Sequence, residues 1–365
     1  MKSDQTVPNG NGTPPNGAPS DGTPKRTEIS SLGEFGLIDR IRQQFALTNS
    51  GSVLGIGDDA AVIDTKDAYQ LVSTDMLVEG IHFDLSFTPL EHLGYKAVAV
   101  NVSDIAAMNG IPRQITVSLG LSNRFSVEAV DALYRGIGFA CRDYAVDLVG
   151  GDTTAAPSGL LISVTALGTV SPPQLVKRSG AQEGDILCVT GDLGGAYAGL
   201  QVLEREKITF AENPNAQPQL EAYDYVVQRQ LKPKARTDIV HDFYERGIVP
   251  TAMIDVSDGL ASEVLHLCQQ SKVGMRVYED KLPMAELTMK TADEFQLNAV
   301  TLVMNGGEDY ELLFTLRPVD FEQLKEHADI HPIGYVQKAE LGAQLATQNE
   351  QLVSIQAQGW NHFQH

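Results

Sequence analysis

Apolar side chains are almost missing from the first 28 positions, which are rich in Pro, Gly, Asn, Ser and Thr. Such a segment cannot bury enough surface to order itself, so residues 1–28 read as a disordered tail. Apolar positions begin to organise near Leu32, with a short amphipathic helix expected around Phe35–Phe45. Ala60–Ile63 and Gln70–Ser73 read as strands, the second ending at Ser73-Thr74-Asp75. Thr88-Pro89-Leu90-Glu91 has the capping-box pattern with proline at the first helical position. It opens a helix ending near Gly110, apolar on most faces through Val98, Val100, Ile105 and Ala106. A helix apolar all round is a buried one. A strand at Ile115–Leu121, a helix at Val127–Tyr144, a short strand at Asp147–Val149 and a long one at Leu160–Val170 follow. Pro172-Pro173 and the loop Arg178-Ser179-Gly180 mark a joint. Beyond it come a strand at Ile186–Thr190 and the glycine-rich turn Gly191–Gly195 leading into a helix. A polar surface excursion at 205–222, a strand at Met253–Asp255, a helix from Ser257, and strands at Glu311–Thr315 and Pro332–Val336 complete the series. No solenoid-type repeat is present. The mixture predicts an α/β (α+β) chain of two halves, 29–172 and 173–365.

Composition narrows the class. The 365 residues are 42% hydrophobic and 20% charged, ordinary for a globular protein. No apolar run approaches the ~20 residues of a membrane span, and no basic head with an apolar stretch marks a secretory signal. Cys141, Cys188 and Cys268 are odd in number and far apart, against a disulfide framework or zinc knuckle; a reducing, cytoplasmic location is expected. A formal net charge of -20 disfavours nucleic acid and anionic membranes as partners. It also sets a condition: were the ligand a polyphosphate, cations would have to stand between ligand and protein.

Five acidic patches can hold such cations. They are Gly57-Asp58-Asp59, Ser73-Thr74-Asp75, Asn101-Val102-Ser103-Asp104, Gly150-Gly151-Asp152-Thr153-Thr154 and Asp255-Val256-Ser257-Asp258-Gly259. Each alone also reads as a turn or a helix cap. Asp104 differs, because an ionised carboxylate inside an apolar helix needs a cation or a buried hydrogen bond; Asn101 or a hydroxyl could supply the latter. Taken together, scattered one- or two-carboxylate stations suit magnesium, which combines a few carboxylates with water and phosphate oxygens. They suit zinc poorly, since His and Cys are absent from them. No P-loop and no protein-kinase motif set occurs. Arg178 is the one cationic candidate beside these patches, with a solvated basic loop as its plain alternative.

In order along the chain, these motifs resemble thiamine-monophosphate kinases, of the superfamily shared with aminoimidazole ribonucleotide synthetase and selenophosphate synthetase. The resemblance runs from Gly33-Glu34-Phe35 through Gly80-Ile81-His82-Phe83, Lys96-Ala97, Arg178-Ser179-Gly180-Ala181 and Gly306-Gly307-Glu308-Asp309-Tyr310 to Gly359-Trp360-Asn361-His362-Phe363. It implies the two-domain aminoimidazole ribonucleotide synthetase-like fold, with N-terminal halves that bind ATP and metal and pair in a homodimer. It implies ATP and thiamine monophosphate as substrates and several Mg2+ ions as cofactors. By the same resemblance Asp59, Ser73, Thr74, Asp75, Asp104, Asp152, Asp255 and Asp258 match metal ligands. Gly151, Asp152, Arg178 and Ser257 match nucleotide contacts, and His82, Glu308 and Trp360 match the acceptor pocket. The acceptor is itself a phosphate, so its oxygen needs no base and direct transfer without a phosphoenzyme is expected. Two alternatives stand beside this reading: a sister ATP-dependent synthetase, and a non-catalytic protein whose acidic loops bind calcium. The N-terminal reactive Cys of selenophosphate synthetases is absent, and EF-hand spacing is absent too.

Overall fold

The structure is a computed structural model that describes residues 32–213 and 220–357. Its first half comprises α1 (Gly33–Arg42), β1 (Ser52–Leu54), β2 (Ala61–Asp64), β3 (Tyr69–Val78), α2 (Leu90–Ala107), β4 (Ile111–Leu121), α3 (Val127–Asp143), β5 (Asp147–Ala155) and β6 (Leu160–Val170). The strands form one sheet in the order β1-β2-β3-β6-β4-β5, antiparallel except for the β4–β5 pair. In β6, Leu160, Ile162, Val164 and Ala166 are buried while the alternate residues are only partly covered, so one face carries the core. Helices α2 and α3 cover that face.

The second half holds β7 (Ile186–Thr190), α4 (Gly195–Glu212), α5 (Asp224–Leu231), α6 (Thr237–Arg246), β8 (Ala252–Asp255), α7 (Leu260–Ser271), β9 (Gly274–Tyr278), α8 (Glu286–Glu294), α9 (Ala299–Asn305), β10 (Leu312–Leu316), α10 (Pro318–Phe321), β11 (Ile330–Gln337), β12 (Ala343–Ala346) and β13 (Leu352–Ser354). Its sheet runs β13-β12-β9-β11-β7-β10-β8. The halves share hydrophobic surface: Ala106 and Ala107 at the end of α2 pack with Val240, Phe243, Met253 and Phe314 of the second half. Helix α2 is therefore enclosed by its own sheet, by α3 and by the second half. Its lack of a broad solvent-facing side follows from that placement.

Five local expectations are corrected. Helix α2 starts after Pro89, and the Thr88 side chain makes no capping bond although it is buried. Strand β3 continues through Ser73-Thr74-Asp75 to Val78, and Gly150–Thr154 lies within β5 rather than after a strand. Helix α7 opens at Leu260, after Gly259, rather than at Ser257. Of the stretch read as a surface excursion, 205–212 is the last part of α4, and 220–222 leads into α5. Of the expected tail, residues 1–28 lie outside the described residues.

Candidate active site

A cleft of about 1500 Å³ separates the halves. Its floor is a stripe of α2. Lys96, Val100 and Asp104 all line the cleft, and their four-residue spacing puts them on one helical face, spanning about 12 Å. Asp59 reaches the same place from the turn before β2, and Asp255 from the end of β8. One carboxylate oxygen from each of Asp59, Asp104 and Asp255 lies within 4.8 Å of the others.

Neighbours hold this cluster in place. Ser73 donates to Asp104 Oδ2, and Ser103 Oγ donates to Asp255 Oδ2 at 2.6 Å. The Arg178 guanidinium grips Asp59 at both oxygens, Nη2 to Oδ1 at 2.6 Å and Nε to Oδ2 at 3.2 Å. Asp58 Oδ1 accepts from the backbone N–H groups of Arg178 and Asp59 at 3.2 and 3.1 Å. Asp58 thus ties the turn to the interdomain joint. Asn101 accepts from the Asp75 N–H at 2.9 Å and donates to Ala97 O at 3.0 Å, fixing β3 against α2.

Crowded carboxylates resist ionisation. Burial, then the charges of Asp75, Asp255 and Asp59, push Asp104 well above the usual carboxylate range. Burial, with Asp59 next, raises Asp255 to about 7. Burial and Asp59 raise Asp58 to about 6. Asp75 is open to the cleft yet ringed by protein atoms, and that surrounding followed by Glu34 raises it too. Oxygen donors without imidazole or thiolate, set around mutually repelling charges, fit a hard dication such as magnesium. A stability consequence follows. Carboxyls that hold protons more tightly folded than unfolded, where an aspartate titrates near 3.9, lose stability as pH rises. In EDTA the melting temperature should therefore be lower at pH 7.5 than at pH 5.5, and magnesium should raise it more at pH 7.5. Equal melting temperatures at both pH values in EDTA would remove this electrostatic account.

The remaining site candidates divide. Ser257, Asp258, His82, Thr74 and Glu308 all line the same cleft. Strand alternation, however, turns the Thr74 hydroxyl to the sheet's other face, where it donates to Val164 O at 3.0 Å. The Asp258 N–H donates to Glu263 Oε1 at 2.9 Å, bracing the turn before α7. His82 Nδ1 accepts from the Val78 N–H at 3.0 Å, which fixes the ring's orientation. Gly151 and Asp152 do not line the cleft. They sit on the exposed edge strand β5, three strands or about 14 Å from β3. A side chain at Gly151 would meet Val117 O at 1.8 Å, so strand packing alone requires glycine there. Trp360 lies outside the described residues.

Sequence reasoning missed several groups. Arg178 is not the only cation: Lys96, Lys207 and Arg42 also line the cleft. A lysine inside an apolar helix, eight residues from Asp104, was the available signal for Lys96. His266 also lines the cleft; burial and then Arg178 push it down to about 4, so it is neutral at physiological pH. Asp309 has a structural task. Its carboxylate accepts from the N–H groups of Gly194 and Ala196 at 2.7 and 3.2 Å. The glycine-rich turn at the start of α4 is thereby already filled by an anion of the protein itself.

Two α/β halves meeting over a carboxylate-floored cleft define the class. Family models described as AIR synthase related protein, N-terminal domain, and AIR synthase related protein, C-terminal domain, match residues 57–170 and 182–344. Among individual relatives, the thiamine-monophosphate kinase of Bacillus subtilis is 34% identical over 91% of this chain and 100% of its own length. That of Aquifex aeolicus is 35% identical over 92% of this chain and 99% of its own. A solved structure described as AaThiL complexed with AMPPCP and TMP matches with a TM-score of 0.79 at 32% identity, covering 93% of this chain and 100% of that one. The Stenotrophomonas maltophilia thiamine-monophosphate kinase matches at 0.68 and 32%, over 87% of this chain and 98% of that one. The chain belongs to the thiamine-monophosphate kinase family. Among the described residues no helix is long and apolar enough to cross a membrane.

Proposed function

We propose that the chain transfers the γ-phosphoryl group of ATP directly to the phosphate of thiamine monophosphate, giving ADP and thiamine diphosphate. The convergence of Asp59, Asp104 and Asp255 within 4.8 Å on the floor of the interdomain cleft carries the mechanistic part of this reading. Those three, with Ser73, Asp75 and Asp258 beside them, would hold magnesium. Bound there, it would supply the positive charge that lets two phosphate groups approach. The chain's own residues then provide geometry. Arg178 anchors the Asp59 turn across the joint between the halves, and with Ser257 it contacts the nucleotide. His82, Glu308 and Trp360 hold the acceptor. Fixing two reactants in line contributes on the order of 7–11 kcal/mol without any covalent intermediate.

Edge strand β5, exposed along its whole length with Val149 at 59% and Leu148 at 42%, supports pairing of two N-terminal halves. Gly151 and Asp152 lie on that edge, so their nucleotide and metal contacts belong to the paired assembly.

The test is incubation with ATP, magnesium and thiamine monophosphate, following thiamine diphosphate and ADP. One ADP should appear per thiamine diphosphate. With ATP made chiral at the γ-phosphorus, direct transfer inverts configuration. Retention would establish a phosphoenzyme and overturn the direct step, and absence of thiamine diphosphate would overturn the acceptor assignment.

A further inference from the structure

Burying an ammonium inside a protein costs several kcal/mol unless a partner is fixed beside it. Lys96, buried at the end of the cleft floor away from Asp104, has such a partner in Glu308, with Nζ 2.9 Å from Oε1. The other carboxylate oxygen accepts from Gln230 Nε2 at 2.7 Å, and Lys96 Nζ also donates to Gln230 O at 3.4 Å. Three distant segments, α2, α5 and the turn before β10, thus meet at one carboxylate. The turn is strained on its own account. Glu308 and Tyr310 have φ of +58° and +52°, a left-handed conformation that costs non-glycine residues about 1–2 kcal/mol each. It is pinned by the Glu308 N–H to Ser257 O at 2.6 Å and the Tyr310 N–H to Val256 O at 2.9 Å.

We propose that Lys96 is a positioning residue for acceptor recognition: with Gln230 it locks the Glu308 carboxylate in one orientation facing the cleft. The proposal rests on the reading of Glu308 as an acceptor contact. A carboxylate offers about four acceptor positions. Lys96 and Gln230 occupy two, and with 30% of the Glu308 side chain still exposed, its remaining face looks into the cleft. The aminopyrimidine of thiamine presents an N–H donor to such a face. Lys96 stands two helical turns from Asp104, so it acts at the organic end of the acceptor rather than at the transferred phosphoryl group.

Lys96→Met, Glu308→Gln and the double variant decide the matter through separate KM values for the two substrates. Lys96→Met should raise KM for thiamine monophosphate about tenfold, with KM for ATP within about twofold, because a charged hydrogen bond that fixes a ligand contact is lost. In the Glu308→Gln background, Lys96→Met should add less than about twofold, since the ion pair through which Lys96 fixes the carboxylate is already gone. Equal rises in both KM values, or additive effects in the double variant, overturn the proposal. Should a single variant fail to fold because its partner's charge is left unmatched, the double variant, which leaves none, decides it: KM for thiamine monophosphate should rise about tenfold with KM for ATP within about twofold, and equal rises overturn the proposal. An unchanged KM for thiamine monophosphate in Glu308→Gln would instead remove the reading of Glu308 itself, and the proposal with it.

Discussion

Replacing Asp104 by asparagine should cost activity and add stability. In the phosphoryl-transfer assay kcat/KM should fall by on the order of 10³ or more, because one of three convergent carboxylates is lost from the site that must balance phosphate charge. In EDTA the same variant should melt at a higher temperature than the parent. Asp104 sits among Asp59, Asp75 and Asp255, all of which disfavour its ionised form. A neutral amide of the same size removes that repulsion and can still accept the hydrogen bond from Ser73. A functional group assembled at the expense of the fold shows this opposition of signs. A residue there for packing or solubility does not. Steady-state kinetics at saturating magnesium and thermal melts in EDTA measure the two halves of the claim. Substantial residual turnover, or a lower melting temperature, would show that Asp104 serves the fold.

Much of the scaffold was legible because buried strands carry their own signature. The alternation of Leu160 to Val170 and the all-round apolar character of α2 point to the sheet and helix observed. Legibility failed where polar residues extend an element. Ser73-Thr74-Asp75 and Gly150–Thr154 read as ends or turns, yet both are strand, because β3 and β5 carry site and edge residues in place of core ones. The capping-box pattern at Thr88 fails by one residue, because Pro89 rather than Thr88 occupies the N-cap. For the site, sequence named the carboxylates but could not say which converge. Asp59, Asp104 and Asp255 come from a turn, a helix interior and a strand end, and only the meeting of the halves gathers them. The Lys96–Glu308 pair was less legible still, since nothing local to Lys96 announces a partner in the other half.

Two glycines of α3, two residues apart, should respond to alanine with opposite signs. Alanine is about 1 kcal/mol better than glycine inside a helix, so propensity alone favours both changes. At Gly138 nothing opposes it. The nearest atom to an added Cβ is the end of the Arg142 side chain at 3.7 Å, so Gly138→Ala should stabilise by about 0.5–1 kcal/mol. At Gly136 an added Cβ would stand 1.9 Å from the Glu91 carbonyl oxygen, and its counterpart on α2, Gly94, faces Leu133 O at 2.1 Å. The helices touch backbone to backbone there, and neither can yield without moving. Overpacking of this kind costs about 1–3 kcal/mol and more against backbone atoms, which exceeds the propensity gain. Gly136→Ala should therefore destabilise by about 2 kcal/mol net. Its second effect reaches the chemistry, because α2 pushed away from α3 carries Lys96, Ser103 and Asp104 with it. Activity measured well below the melting temperature should drop for Gly136→Ala and stay at the parent level for Gly138→Ala. Equal responses at the two positions would mean that the α2–α3 contact does not set where the cleft floor lies.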